Sequence, residues 1–452
     1  MKNKSIKLFC ITVLLACTSV QAQLVPSLRE EKKQLTLADA IDLSIKNSHQ
    51  LKNNQAKIEE ATAVLKEAVE KKLPSASVSG SYLRLAAANF NLKTKPNNNG
   101  GTGTAAETPK VTQAMYGIVN ASLLIYAGGR IKYGIESSEL LEKAVRLDAE
   151  DDKDEVIQNT IEAFAALFKA NTAVRLVKEN LAQSQQRSKD LSNLEKNGLL
   201  ARNDLLKAEL QSSGIELNLL DAENNLQLAN VNMDLILGLP TTTDLILDTT
   251  GIEKKDDKRV LDDYLQLAFS NRKDIAALNY RKKAAGTGVK AVNGEKYPVI
   301  QLTGGYIAAD VPKVFSVTNA VNIGVGVSYN IASLWKTKAK LQQAEAKVKQ
   351  IVESEAIMND GIRLQVNKNY FALLSSRKKI EVYARASEQA KENYRIVKNK
   401  FDNSLATTTD LLEADVAQLQ ATLGYTLANA DAFVAYNKLL QSTGILAIEL
   451  KK

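Results

Sequence analysis

Side chains that could carry out chemistry are few in this sequence. His49 is its only histidine, and both cysteines, Cys10 and Cys17, lie close to the N-terminus. A zinc site needs several histidine or cysteine ligands together, so His49 alone cannot form one. No set of residues combines a nucleophile with a base and an acid. We therefore predict a protein that is not an enzyme and that needs no cofactor.

Two segments resemble binding motifs only superficially. The segment Gly100-Gly101-Thr102-Gly103 lacks the Gly-Lys-Ser/Thr ending of a phosphate-binding loop. The acidic run from Asp151 to Glu155 could attract a cation, but a solvated helix surface is the better interpretation. The formal charge is +8, from 59 basic and 51 acidic residues. An excess this small predicts no nucleic-acid partner.

The N-terminus has the pattern of a secretory signal peptide, which we predict over residues 1–22. Three lysines precede an apolar run, and Val20-Gln21-Ala22 provides a cleavage site. Because both cysteines lie inside this leader, the mature chain is expected to contain no disulfide. An alternative is lipidation of Cys17, since Leu14-Leu15-Ala16-Cys17 loosely resembles a lipoprotein signal.

A duplication organises the rest of the chain. Residues 113–238 match residues 319–444 at a constant offset of 206, without a gap. One offset held over this length indicates two copies of a single structural unit. The predicted organisation is a first repeat at 23–238, a linker at 239–258 and a second repeat at 259–452.

Four segments alternate between apolar and small or polar residues. Val321, Ile323 and Val325 share one face of a strand, while Asn322 and Gly324 share the other. A soluble sheet with one buried face would explain one such strand, but four suit a barrel wall between lipid and a wet lumen. The predicted strands are about 75–92, 113–126, 299–309 and 319–331. Aromatic residues expected near strand ends, in an interfacial girdle, are Tyr82, Tyr126, Tyr306, Tyr329 and Trp335.

Four strands cannot form a closed barrel alone, because the smallest single-chain barrels have about eight. Beyond the leader, no apolar run reaches the roughly 18–20 residues of a transmembrane helix. A membrane-spanning form must therefore be a β-barrel that leaves no edge bare in lipid. Pooling strands from three chains would supply twelve.

Long helical patterns follow each pair of strands. In the segment 200–237, small and apolar residues recur alternately three and four positions apart from Leu205 to Ile236, which predicts a coiled-coil seam. Thr36 and Asp39 predict a capped helix start. The predicted helices are about 36–72, 129–196, 200–237, 259–296, 334–400 and 405–447.

With these features the chain resembles the TolC-like outer-membrane efflux proteins over Leu35 to Glu449. The resemblance rests on the strand exit at Ile125–Ile131, the helix turns Asn197–Ala201 and Asn403–Thr407, and the duplication. It implies a mainly α fold with a β-barrel portion, built from a duplicated helix–strand–strand–long helix–helix unit. It also implies a homotrimer, with a twelve-stranded outer-membrane barrel continued by a twelve-helix coiled-coil periplasmic tunnel.

The resemblance also implies partners and sites. The partners would be a periplasmic adaptor (membrane fusion) protein, an inner-membrane pump of the resistance-nodulation-division type, and outer-membrane lipid of a Gram-negative bacterium. Asp410 and Glu413 correspond to acidic residues that narrow the periplasmic aperture, although helix capping explains Asp410 equally well. Ser404 replaces a residue that is more often glycine, which leaves that turn's geometry open. The adaptor-contacting tips would be Asn197, Gly198, Leu199, Leu200, Ala201, Asn403, Ser404, Leu405, Ala406 and Thr407.

The expected function is therefore a passive outer-membrane exit duct of a tripartite efflux system for small molecules. The exit duct of a type I protein-secretion system is an alternative with the same architecture. A soluble periplasmic coiled-coil scaffold is an alternative of another class.

Overall fold

The computed structural model describes residues 32–88, 111–248, 257–312 and 314–450. The predicted signal peptide, Cys17 and the glycine-rich loop at 100–103 lie outside these ranges. The strands are β1 (Lys32–Leu35), β2 (Ser75–Ala88), β3 (Val111–Tyr126), β4 (Asp244–Leu247), β5 (Val299–Val311) and β6 (Phe315–Ser328). The helices are α1 (Leu37–Asn47), α2 (His49–Glu70), α3 (Arg130–Lys196), α4 (Arg202–Leu237), α5 (Leu261–Asn271), α6 (Lys273–Asn293), α7 (Ser333–Asp402), α8 (Thr408–Ser442) and α9 (Leu446–Glu449). None of the helices in these ranges combines the length and hydrophobicity needed to cross a bilayer.

The chain divides into two compact units. The tip unit contains the described parts of residues 1–48, 157–256 and 373–435, and the sheet unit contains those of residues 49–156, 257–372 and 436–452. The two predicted helix turns belong to the tip unit, and the four predicted strands belong to the sheet unit. Helices α3, α7 and α8 contribute residues to both units.

The helices predicted at 36–72 and 259–296 are each two helices, so these two predictions were wrong. Thr36 does cap α1 as predicted, since its hydroxyl accepts a hydrogen bond from the Asp39 N–H at 3.1 Å. Ser48 and Arg272 leave the helical conformation, with ψ of 121° and 129°, and interrupt the helical path. In the tip unit, the Asn47 amide donates to the Leu237 carbonyl at 2.6 Å. A long-range contact of this kind leaves no local signal in the sequence.

The sheet unit contains a four-stranded antiparallel sheet in the order β2-β3-β5-β6. Its register confirms the predicted alternation, because one row across the sheet reads Val78, Val119, Tyr306 and Val321. The adjacent row, on the opposite face, reads Ser77, Asn120, Gly305 and Asn322. Apolar side chains thus share one face, and small or polar side chains share the other.

The apolar face of this sheet is not covered by the part of the chain that the structure describes. Val78 is 81% exposed, Val321 is 77% exposed and Ile323 is 82% exposed. Within the same part of the chain, the edge strands β2 and β6 each have one neighbouring strand. A sheet in this state has both an apolar face and two edges available to other partners.

The predicted placement of aromatic residues near strand ends is only partly correct. Tyr126 and Tyr329 lie at strand ends, and Trp335 lies in the first turn of α7. Tyr82 and Tyr306 lie within β2 and β5 instead. The alternation correctly placed Tyr82 and Tyr306 on the apolar face. It could not give their distance from the strand end, because it does not show where each strand ends.

The predicted linker at 239–258 contains a strand, β4, that was not predicted from the sequence. Strand β4 pairs in parallel with β1, and Leu35 and Leu245 pack in one core with Phe164, Met233 and Leu237. A strand of four residues is too short to show a period. Its pairing partner lies more than 200 positions earlier in the chain.

Asn230 of α4 attaches β4 to this core. Its side-chain amide donates to the Thr243 carbonyl at 2.6 Å, and its side-chain oxygen accepts from the Leu245 N–H at 3.1 Å. It also donates to Oδ2 of Asp234 at 3.0 Å. Asp234 is fully buried and its Oδ1 has no hydrogen-bond partner. Burial, and next the negative charge of Asp244, raise the pKa of Asp234 to about 6.

The predicted seam of α4 faces inward. Leu205, Ala208, Ile215 and Met233 are buried, and the seam positions between them are at least partly covered. The same helix also carries leucines on its outer surface that the described chain leaves exposed. These outer leucines are Leu206, Leu210, Leu217, Leu220, Leu228 and Leu235.

Candidate functional site

The first helix turn ends α3 with a left-handed residue. Gly198 has φ of 71°, and its N–H donates to the Glu195 carbonyl at 2.9 Å. The Leu199 N–H donates to the Leu194 carbonyl, also at 2.9 Å. These two bonds form a Schellman motif, which satisfies carbonyls that the helix end would leave unpaired. The backbone of this turn is therefore fixed by its own hydrogen bonds.

The second turn has the same geometry in spite of its serine. Ser404 has φ of 59°, its N–H donates to the Phe401 carbonyl at 2.9 Å, and the Leu405 N–H donates to the Lys400 carbonyl at 2.7 Å. In both turns the asparagine before the left-handed residue donates its side-chain amide to the carbonyl four positions earlier. The two repeats therefore share these hydrogen bonds. Ser404 adopts the same left-handed turn geometry as Gly198 although it is not glycine.

We predict that the two left-handed positions respond in opposite directions to substitution. Gly198→Ala should lower the free energy of unfolding by about 1 kcal/mol, because a Cβ disfavours positive φ. Ser404→Gly should raise it by up to about 1 kcal/mol, because it removes that strain. Apart from Gly198 and its two chain neighbours, no atom of the described residues lies within 4 Å of an added Cβ at this position, so crowding does not contribute. Thermal unfolding followed by circular dichroism measures both effects, and shifts of the same sign would contradict the prediction.

Side chains from both turns pack into one apolar cluster. Leu191, Leu205 and Ala208 form its buried part. Packed against them are Leu194, Leu200, Phe401 and Leu412. The cluster joins the first turn to the second, and it leaves the leucine that follows each left-handed residue outside. Leu199 and Leu405 are 74% and 76% exposed.

The two predicted aperture residues, Asp410 and Glu413, lie in the first two turns of α8. Thr407 and Asp410 form a reciprocal cap: the Thr407 N–H donates to Asp410 Oδ2 at 2.9 Å, and the Asp410 N–H donates to Thr407 Oγ1 at 3.2 Å. The Thr407 hydroxyl, and next its backbone N–H, lower the pKa of Asp410. Asp410 therefore caps the helix and is held as a carboxylate. Both Asp410 and Glu413 are exposed.

A groove between α4 and α8 is lined by residues of both repeats. Lys207 and Glu413 both line this groove, whose volume is about 440 Å³. The Lys207 amine donates to Asp204 Oδ1 at 3.3 Å and to Thr409 Oγ1 at 3.4 Å. Lys207 thus connects the starts of the two helices that follow the turns. This contact was not predicted from the sequence.

The tip unit also contains a buried ion pair that no local sequence pattern predicts. Arg187 of α3 donates to Asp415 Oδ2 of α8 at 3.0 Å, and their side chains are 10% and 3% exposed. Asn180 also donates to Asp415, and Arg187 also donates to the Tyr394 hydroxyl at 3.3 Å. Burial by itself lowers the pKa of Arg187, but the hydrogen bond and charge of Asp415 outweigh it and the pKa is raised. The pair therefore joins α3, α7 and α8 as two charged groups.

Comparison with known proteins agrees with this duplicated arrangement. The family model described as outer membrane efflux protein matches residues 40–239 and 264–445, one range in each repeat. The chain belongs to the outer membrane efflux protein family, and is a TolC-like member of it. Family membership places it among outer-membrane transport proteins.

Individual relatives are distant in sequence and close in fold. The outer membrane efflux protein BepC of Brucella suis is 21% identical over 343 residues, 75% of this chain and 74% of BepC. The outer membrane protein VceC of Vibrio cholerae matches with a TM-score of 0.72 at 16% identity, over 90% of this chain and 96% of VceC. The CmeC outer membrane channel of Campylobacter jejuni matches with a TM-score of 0.73 at 18% identity, over 92% and 88% of the two chains. At these identities the structural matches establish the shared fold.

Proposed function

We propose that this chain is one subunit of a passive outer-membrane exit duct in a tripartite efflux system for small molecules. The main support is the sheet, whose apolar face is exposed and whose two edge strands each have one neighbouring strand within the described residues. In water such a sheet would associate or aggregate. In lipid the apolar face is stable once every strand edge is paired. The small and polar residues on the opposite face would then line a water-filled passage.

Three copies meet this requirement together. Pairing β6 of one subunit with β2 of the next leaves no free edge, and three subunits give a closed barrel of twelve strands. The exposed leucine row of α4 supports the same assembly, because outward apolar rows on long helices pack against neighbouring helices. In the proposed homotrimer the helices continue the barrel as a twelve-helix periplasmic tunnel.

The two turns are the proposed docking tips for a periplasmic adaptor protein, which would connect the duct to an inner-membrane pump of the resistance-nodulation-division type. The tips consist of residues 197–201 and 403–407. Leu199 and Leu405 support this role, since each presents an exposed apolar side chain on a backbone fixed by a Schellman motif. A rigid turn loses little conformational entropy on binding, which favours affinity.

Asp410 and Glu413 are the proposed aperture gate. In a trimer they would place three copies of each carboxylate around one opening, where like charges and bound cations would restrict passage. We predict that Asp410→Asn with Glu413→Gln raises single-channel conductance several-fold in planar bilayers. Asparagine keeps an acceptor for the Thr407 N–H, so this variant removes charge and preserves the cap.

Asp204→Asn provides the matched control. It occupies the equivalent position of the first repeat, but Lys207 already lies 3.3 Å from it. Its effect on conductance should therefore be smaller. Unchanged conductance in the double variant would exclude the gate, whereas a wild-type protein that forms no pores would exclude the duct itself.

Two further measurements separate the alternatives. A deletion strain that accumulates a fluorescent dye, and is restored by this chain, would support small-molecule efflux. A strain that instead stops exporting one protein would support type I secretion. Recovery of the whole protein in the soluble periplasmic fraction would support a scaffold and exclude the duct.

A further inference from the structure

Exposed lysines and exposed large apolar residues occur at every junction between the four-stranded sheet and its helices, adjacent in sequence at three junctions and six positions apart at the fourth. The strands β2, β3, β5 and β6 all meet their helices at the same end of the sheet, because the sheet is antiparallel. We call this set the basic collar. Its lysines, exposed at all four junctions, are Lys72, Lys132, Lys296, Lys336 and Lys338.

Large apolar side chains accompany the lysines of the basic collar. Leu73 follows Lys72 and is 63% exposed, and Tyr297 follows Lys296 and is 56% exposed. Trp335 precedes Lys336 and is 63% exposed. At the remaining junction, Tyr126 ends β3 a few positions before Lys132 and is also exposed. Exposed aromatic and leucine side chains beside cations are typical of a surface that lies at the boundary between lipid and water.

The lysine amines of the basic collar are not engaged in ion pairs within the described ranges. Across the described ranges, no carboxylate lies within 4.0 Å of any of their amines. Lys296 donates only to the neutral Asn293 side chain. The nearby Lys340 shows the contrast, since Glu295 lies 2.8 Å from its amine. Among the described residues, the collar lysines therefore form no ion pair with a carboxylate of their own chain.

We propose that the basic collar binds the headgroups of anionic phospholipids in the membrane leaflet that faces the tunnel. This inference rests on the proposed membrane position of the sheet and names the lipid that surrounds one end of it. The apolar members would enter the leaflet while the lysine stems extend along it, with their amines among the phosphates. A zwitterionic headgroup offers the same phosphate but cancels its charge, so the collar selects for net negative lipid.

Trp335 provides a direct probe, because it is the only tryptophan of the chain. The full-length protein is reconstituted into bilayers of equal phosphatidylglycerol and phosphatidylcholine, with brominated acyl chains on one lipid or the other. Brominated phosphatidylglycerol should quench Trp335 fluorescence more strongly than brominated phosphatidylcholine. Each lysine near the surface should favour the anionic lipid about fivefold, and salt near 1 M should weaken the preference.

Matched variants on one helix complete the test. Lys336→Gln with Lys338→Gln should lower the preference by more than tenfold, at about fivefold per lysine. Lys347→Gln with Lys349→Gln removes the same charge from exposed positions further along α7 and should leave the preference unchanged. Equal quenching by the two lipids, or a preference as strong in the first variant as in the wild type, would overturn the inference. Quenching by neither lipid in a protein that still forms pores would also overturn it, while leaving the exit duct intact.

Discussion

Replacing Arg187 by methionine is expected to lower the free energy of unfolding by about 3–5 kcal/mol. The reason is the carboxylate that remains, because Asp415 is only 3% exposed and, among the described residues, would retain a single donor, Asn180, at 3.3 Å. An unpaired buried charge costs far more than the net contribution of the intact pair. Urea or thermal unfolding followed by circular dichroism of the reconstituted protein measures the loss.

A double-mutant cycle separates the pair from its surroundings. Arg187→Met combined with Asp415→Leu removes both charges and should recover most of the lost stability. Arg175→Met is the control on the same helix, since its ion pair with Glu179 is solvent-exposed and should contribute less than about 0.5 kcal/mol. If the double variant were as unstable as the single variant, packing at Arg187 rather than the orphaned charge would be the cause.

Replacing Asp234 by asparagine is expected to stabilise the protein at neutral pH by about 1–3 kcal/mol. The carboxyl group is fully buried, and its pKa is raised to about 6 in the fold from an ordinary value of 3.8. The folded state therefore binds this proton more tightly than the unfolded state. The resulting stability is present at low pH, declines as pH rises from about 4 to about 6, and is absent above that, a total of about 3 kcal/mol.

The pH dependence is the decisive measurement for Asp234. The stability difference between Asp234→Asn and the wild type should be small below pH 4 and should grow to its full value by about pH 7. Asp221→Asn, at an exposed position of the same helix, should give no such dependence. A difference that is constant across this pH range would mean that packing at the site, rather than its ionisation, sets the effect.

Much of the architecture could be predicted from local pattern. The constant offset between residues 113–238 and 319–444 predicted the duplication, and the structure repeats even the Schellman bonds of the two turns. Alternation predicted which side chains of β6 share a face, and the ladder partners of Val321 confirm it. These features follow from backbone geometry with a period of 2 or 3.6, which each segment of sequence contains within itself.

The candidate site was predictable in part. The turn residues could be located because a left-handed position after a long helix has a recognisable sequence, Asn-Gly in the first copy and Asn-Ser in the second. The capping role of Asp410 was predicted from its place after the turn and is confirmed by its bonds to Thr407. Its aperture role and the adaptor contacts remain predictions.

Local patterns in the chain specify the periodic elements, the two repeats and the turns between long helices. Long-range packing sets the helix breaks at Ser48 and Arg272, the β1–β4 pairing, the burial of Asp234, and the Arg187–Asp415 pair. Each of these is decided by groups distant in sequence, whose meeting depends on how helices and strands pack. A charged side chain stays hydrated at the surface unless packing removes its water. No local sequence pattern shows which charged positions become buried in this way.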